Sequence, residues 1–342
     1  MREDVSGKIR SRWLMVMLSA LLIIISVVPA TADDQHFGFV VMGDSRGKST
    51  AEQINASVLV SLRDQITNLR NSLAANKPEF LIFLGDMCMD GGEEQIKAWK
   101  VLMEPLPIPY FVTVGNHELY AKDGTNKRLA YQQDFATLLN NPPTPVFYTS
   151  REDHRPNLAF SFRKGNALFV ILDAYYVDPQ KDIMPPQIGY ISKGQYNWMK
   201  DVLDRANKDN TIKHKFVFAH APLDCSNADP RKKDSCDSSN YSQIKGDLKK
   251  YNVDAFFAGH DHVFAYHIYD YEDKNKMTKY GMLLTSGRAG APKETVDRKY
   301  PSDEEVLLNH FLYVKVDDEN WQISVFNING GLSYQFNNGV KH

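Results

Sequence analysis

Cysteine is scarce, with three in 342 residues, and net charge is nearly absent, 40 Lys and Arg standing against 42 Asp and Glu. The even balance argues against a dedicated nucleic-acid binder, because no strong positive field is available to gather a polyanion, although a local basic patch could still do so. Beyond the amino-terminal segment there is no long hydrophobic run, which excludes an array of membrane spans. Internal repeats, low-complexity tracts and a linker that would divide residues 33–342 are missing too. What remains is 43% hydrophobic and 24% charged, the composition of a folded chain and not of a disordered or collagen-like one.

Lys8, Arg10 and Arg12 precede an apolar run over residues 13–28, which Pro29, Ala30, Thr31 and Ala32 follow. This basic, apolar and small-residue order, ending in Ala-x-Ala, predicts a secretory signal peptide over residues 1–32. The alternative is an uncleaved anchor, although the run falls short of the ~20 residues of a bilayer span. The expected location is secreted or periplasmic. In such a compartment Cys225 and Cys236, close together in a polar stretch, are expected to pair, a closure worth about 2–3 kcal/mol. Two separate thiols are the other reading. Cys88 is expected to be buried.

Short apolar runs rich in Val, Ile and Phe recur at 37–42, 80–84, 110–114, 168–172, 216–219 and 255–258. Each is bounded by Gly, Asp or His and reads as a strand buried on both faces. Between the first two, Ile54, Val58, Leu62, Ile66, Leu69 and Leu73 are spaced as one face of a helix, with Ser49 and Glu52 as a capping box. Shorter helical spacing marks 93–103, 128–139, 195–203 and 241–251. Strands alternating with helices imply an α/β fold. From about Tyr280 strand-like runs at 281–285, 311–316, 321–326 and 332–336 follow one another, so a mainly antiparallel second half is expected.

The polar residues at the ends of these runs carry the chemistry. Gly43-Asp44 ends the first, Gly85-Asp86 the second and Gly115-Asn116-His117-Glu118 the third; His220 ends a later one and Gly259-His260-Asp261-His262 another. Singly, a Gly-Asp reads as a turn, the Gly-Asn-His-Glu as a turn into a helix cap, and His220 as a structural histidine. Taken together, four of the ten histidines, two aspartates and an asparagine fall where the carboxyl ends of strands share a rim. Carboxylate, amide oxygen and imidazole suit Mn, Fe or Zn.

In this order the residues resemble the signature of the calcineurin-like metallophosphoesterase superfamily, which includes the purple acid phosphatases: Gly-Asp, Gly-Asp, Gly-Asn-His-Asp/Glu, His, Gly-His-x-His. The resemblance spans 43–291. It implies an α/β (α+β) sandwich of four layers, α/β/β/α, with two mixed sheets. It also implies a phosphatase or phosphodiesterase with two divalent or trivalent metal ions (Fe, Mn or Zn) and a bridging hydroxide as nucleophile. By matching positions, Asp86 would bridge the ions, Asp44 and His262 would hold one, and Asn116, His220 and His260 the other. His117 would face the leaving group as general acid. The implied substrate is a small-molecule phosphate ester; a membrane would be a partner only if the leader stays attached.

Two positions depart from the family pattern. The usual Asp-x-His is Asp44-Ser45-Arg46 here, and an always-protonated guanidinium cannot ligate a metal. Three residues after the bridging aspartate, purple acid phosphatases carry a tyrosine ligand, where this chain has Met89. Arg46 reads either as a clamp on substrate phosphate or as a structural ion pair, and Arg288 likewise. Asp90 lies one residue from the position where some relatives pair an Asp with the catalytic histidine. Two alternatives stand beside hydrolysis: a catalytically impaired metal- or phosphate-binding protein, and a membrane-anchored phosphodiesterase acting on lipid or nucleotide phosphates.

Overall fold

The computed structural model describes residues 35–119, 146–147, 158–175, 191–223, 240–273, 276–293 and 308–341. In chain order these form β1 (His36–Met42), α1 (Ala56–Ser72), β2 (Pro78–Phe83), α2 (Glu93–Met103) and β3 (Tyr110–Val112). There follow β4 (Val146–Phe147), β5 (Phe160–Lys164), β6 (Ala167–Ile171), α3 (Lys193–Lys208), β7 (His214–Phe218), α4 (Tyr241–Lys250), β8 (Ala255–Ala258) and β9 (Phe264–Glu272). The chain closes with β10 (Thr278–Ser286), β11 (His310–Asp317), β12 (Asn320–Asn327), β13 (Leu332–Asn337) and β14 (Val340–Lys341).

Two seven-stranded mixed sheets result, ordered β14-β13-β12-β11-β1-β2-β3 and β4-β5-β6-β7-β8-β10-β9. In the first, β1, β2 and β3 run parallel; in the second, β6, β7, β8 and β10 do. The sheets meet through phenylalanine. Phe39 of β1 packs its ring 5.1 Å from Phe169 and 5.3 Å from Phe216, and Phe80 of β2 lies 5.2 Å from Phe169. On the other face of β2, Phe83 meets Trp99 of α2 at 4.9 Å. Side chains alternate across a strand, so a strand covered by a sheet on one side and helices on the other must be apolar throughout. That requirement produces the uninterrupted apolar runs.

The expected strands and the helices at 93–103, 195–203 and 241–251 are present, and Cys88 is buried. The first helix differs at its start. Glu52 N–H does donate to Ser49 Oγ at 3.3 Å, but α1 begins only at Ala56. The intervening residues are held extended, by a bridge between Arg46 and Ile54 and by Asn55 N–H on the Ser45 carbonyl at 2.9 Å. Strands β4, β5, β9 and β14 are not marked by any of the apolar runs. The 128–139 helix, the leader and the Cys225–Cys236 pairing fall outside the described residues. No described helix is long and apolar enough to cross a membrane.

Candidate metal centre

The site is built where the carboxyl ends of the parallel strands of both sheets come together. Asp44 follows β1, Asp86 follows β2, Asn116 follows β3, Tyr175 follows β6, His220 follows β7, and His260 follows β8. Asp44, Asp86 and His260 have φ of 62°, 52° and 69°. A left-handed backbone costs a residue with a Cβ roughly 1–2 kcal/mol, and such outliers persist where surrounding contacts over-determine them. Here the contacts are backbone bonds between loops: Asp44 N–H to Gly85 O at 3.0 Å, Ala291 N–H to Asp44 O at 2.8 Å, and Gly259 N–H to His220 O at 2.9 Å. Glycine is required by close approach at two of these turns. A Cβ on Gly259 would collide with Asp44 Oδ2, and one on Gly115 with Asp86 Oδ1.

The side chains converge accordingly. His220 Nε2 lies 3.3 Å from Asp86 Oδ1 and 4.0 Å from Asp44 Oδ1, and one ligand atom from each of the three falls within 4.8 Å of the others. His262 Nε2 is 3.8 Å from Asp44 Oδ1, and His260 Nδ1 is 3.0 Å from Asn116 Oδ1. Two of the rings are oriented from behind: His220 Nδ1 bonds Leu84 O at 2.5 Å and His262 Nδ1 bonds Pro292 O at 2.9 Å. Carbonyls on Nδ1 make it the protonated nitrogen and turn Nε2 inward with its lone pair, as in metal-binding histidines. His260 N–H donates to both oxygens of Asp44, at 3.0 and 3.1 Å.

The residues present fit a cation. His220 Nε2 is buried facing the carboxylates of Asp86 and Asp44, which are 1% and 0% exposed. Burial, reinforced by the Asp86 charge, pushes the Asp44 carboxyl well above the usual carboxylate range, against the pull of His220. Burial acts on Asp86 as well, but His220, His117 and Arg46 outweigh it and hold that carboxyl well below the range. His220 is driven towards neutrality by burial, yet Asp86 and Asp44 raise it to about 10. Without a cation, then, the imidazole carries a proton that supports the fold below its ordinary 6.5 and is lost as pH rises through about 10. A ligating imidazole must be neutral, so binding expels that proton. Calorimetric Mn(II) titration at pH 8 in two buffers of different ionisation enthalpy should show release of about one proton or more, with affinity rising between pH 7 and 9. Proton uptake, or a flat affinity, would contradict this.

Other positions sort as follows. Arg46 reaches the rim, its Nε 3.8 Å from Asp86 Oδ2, while its Nη1 donates to Gly47 O and Met89 Sδ at 3.4 and 3.5 Å. The Arg288 carbonyl accepts His310 N–H at 3.1 Å, its charge is felt at His310, and its Nε and Nη1 are buried without partners. Asp90 bonds Gln53 and not His117; the His117 Nδ1 partner is Met89 O at 2.7 Å.

Two further residues organise the site: Glu118, which the motif leaves open between orienting a neighbour and capping a helix, and Tyr175, which reads in the sequence as a candidate pocket residue. Glu118, wholly buried, accepts the backbone N–H groups of Asp86, Met87 and Gly115 at 2.8–2.9 Å, locking the turns after β2 and β3 together. Burial and the Asp86 charge raise its carboxyl to about 7. Tyr175, also fully buried, sets its hydroxyl 3.2 Å from His260 Nδ1 and 3.5 Å from Asn116 Oδ1. It is fixed in turn by Asp173, which accepts Tyr175 N–H at 2.9 Å and exchanges bonds with Gln195 at the start of α3. The Tyr175 hydroxyl's donation to Asn116 Oδ1 is an outer-shell contact to a ligand oxygen, and removing such a partner typically costs about 10–100-fold in metal affinity. Tyr175→Phe should therefore weaken Mn(II) binding by about that factor while the fold melts normally; unchanged affinity would show that the hydroxyl positions nothing.

A sequence model of the calcineurin-like phosphoesterase family matches residues 39–264, about two thirds of the chain. Among solved structures the fold is similar to purple acid phosphatase PPD1 from yellow lupin (Lupinus luteus) seeds, at 16% identity and a TM-score of 0.63. That match covers 88% of this chain and 53% of the lupin chain, so the present chain spans about half the length of that relative. It is also similar to GAP50, the anchor in the inner membrane complex of Plasmodium, at 15% identity and a TM-score of 0.54 over 90% of each chain. No curated protein sequence matches.

Proposed function

Because the chain belongs to the calcineurin-like phosphoesterase family, we propose that it is a cation-dependent hydrolase of small phosphate esters, secreted or periplasmic as its leader suggests. The observation that carries the reading is the convergence of two buried carboxylates, an amide oxygen and three imidazoles on one rim, with His117 beside them. In this reading Asp86, Asn116, His220 and His260 hold one ion, while Asp44, Asp86 and His262 face a second position. Cations at such a site supply Lewis acidity towards phosphoryl oxygens and make water acidic enough to attack near neutral pH.

The chain's own groups do the rest. No side-chain nucleophile is offered by the nearest candidates: Ser45 Oγ is committed to Met87 O at 2.8 Å and to Trp99 Nε1 at 3.0 Å, and Cys88 Sγ to Asp90 O at 3.6 Å. His117 points its Nε2 at the centre, 3.8 Å from Asp86 Oδ2, because Nδ1 is held by the Met89 carbonyl. Protonated at Nε2, it can hand that proton to the departing oxygen. Arg46 keeps a buried Nε without a hydrogen-bond partner, a donor suited to a phosphoryl oxygen.

The test is turnover of p-nitrophenyl phosphate and bis(p-nitrophenyl) phosphate by protein stripped with EDTA and reloaded with Mn(II), Zn(II) or Fe. Cation-restored hydrolysis of either ester is expected, and their ratio assigns monoesterase or diesterase. If neither is turned over with any ion, the proposal fails.

A further inference from the structure

We infer that the rim retains one tightly bound cation, and that the Arg46 guanidinium supplies the positive charge of the second position. This rests on the cation-binding reading above and asks how many ions that site keeps.

Asp86 presents two different sides. Its Oδ1 lies 3.3 Å from His220 Nε2 and accepts His117 N–H at 3.0 Å, facing the position that Asn116, His220 and His260 surround. Its Oδ2 lies 3.8 Å from Arg46 Nε. Arg46 is not a loose surface residue turned inward by chance. Its own N–H donates to Asp86 O at 3.1 Å, its backbone bridges Ile54, and its side chain is only 15% exposed. Asp86 is the one carboxylate, among the described residues, within ion-pair distance of that guanidinium. The charge it brings is therefore balanced by a carboxylate that a second cation would use.

The donors are unequal as well. Four residues face the inner position, Asp86, Asn116, His220 and His260. The outer one has Asp44, Asp86 and His262, and both oxygens of Asp44 already accept His260 N–H. The two carboxylates that face these positions, one guanidinium and one divalent ion sum to a net charge of +1, which the buried Glu118 behind Asp86 lowers by at most one. A second divalent ion would raise that sum by two, next to a fixed cation and at a rim where solvent screens the repulsion only in part.

Wild type, Arg46→His and Arg46→Met, each loaded with excess Mn(II) and desalted, are assayed for bound manganese by mass spectrometry and for spin coupling by electron paramagnetic resonance. Wild type should hold one uncoupled ion per chain. Arg46→His, which exchanges the charge for a ligand, should hold a coupled pair. Arg46→Met, which removes the charge alone, should bind a second Mn(II) at least about tenfold more tightly than wild type does. Two retained ions or a coupled pair in wild type would overturn the inference and leave the hydrolase reading standing. So would a second-ion affinity unchanged in both variants. Wild type retaining no ion would overturn the inference together with the cation-binding reading it rests on.

Discussion

Asp86→Asn should still fold, with a lower melting temperature because the charge paired with His220 and Arg46 is removed, and should lose both cation retention and hydrolysis, the latter by about 10³-fold or more. The size follows from what this side chain does. Among the described residues it is the only one facing both positions, with one oxygen towards His220 and the other towards Arg46 and His117. Metal-derived charge stabilisation of a phosphoryl transition state is worth several kcal/mol, and each 1.36 kcal/mol is a factor of ten in rate. Folding should survive because the asparagine Oδ1 can still accept His117 N–H, and Asp44 remains 4.0 Å from His220 to balance its charge. The substitution also removes one of two like charges from a buried pair, and the Asp86 charge is one of the forces that raise the Asp44 carboxyl. Bound metal, rate and melting temperature of the same preparation separate the outcomes. A variant that keeps its metal and most of its rate would remove Asp86 from the centre.

His117→Asn should show its effect through the leaving group. A general acid typically contributes about 10²–10⁴-fold, and only when the departing oxygen needs a proton. An alkyl phosphate should slow by that factor, whereas p-nitrophenyl phosphate, whose leaving group departs as a stable anion, should slow far less. The pH profile gives a second reading. Burial, helped by Arg46, lowers the His117 pKa below its ordinary 6.5, against the pull of Asp86. The acid form is needed, so wild-type activity on the alkyl ester should fall as pH rises through that lowered value, and the limb should vanish in the variant. Equal losses on both esters would assign His117 to binding and not to proton transfer.

Much of the architecture could be read from the sequence because the sandwich makes one demand on many residues. Strands covered on both sides must be apolar at every position, and Phe37, Phe39, Phe80, Phe83, Phe169 and Phe216 report that demand directly. The rim was legible because each Gly-polar pair sits at the end of such a run, where a glycine admits a neighbour too closely for a Cβ. Long-range polar contacts left no such trace. Glu118 reads locally as a cap on the short turn His117–Leu119, and its bonds to Asp86 and Met87 cross more than thirty residues. Tyr175 is one tyrosine among seventeen until β6 places it against Asn116 and His260. The start of α1 was displaced by tertiary contact, since residues up to Asn55 are held to the Asp44 turn through Ser45 and Arg46. Strand β9 did carry a signal, the aromatic and β-branched residues Phe264, Tyr266 and Ile268 at every second position, which marks a half-exposed strand.

Crystals of the Mn(II)-loaded protein, measured near the manganese absorption edge, locate the ion without reference to activity. The strongest anomalous peak should fall between Asp86, Asn116, His220 and His260. A strongest peak elsewhere on the molecule, or no peak from fully loaded protein, would contradict the assignment of this rim as the metal centre.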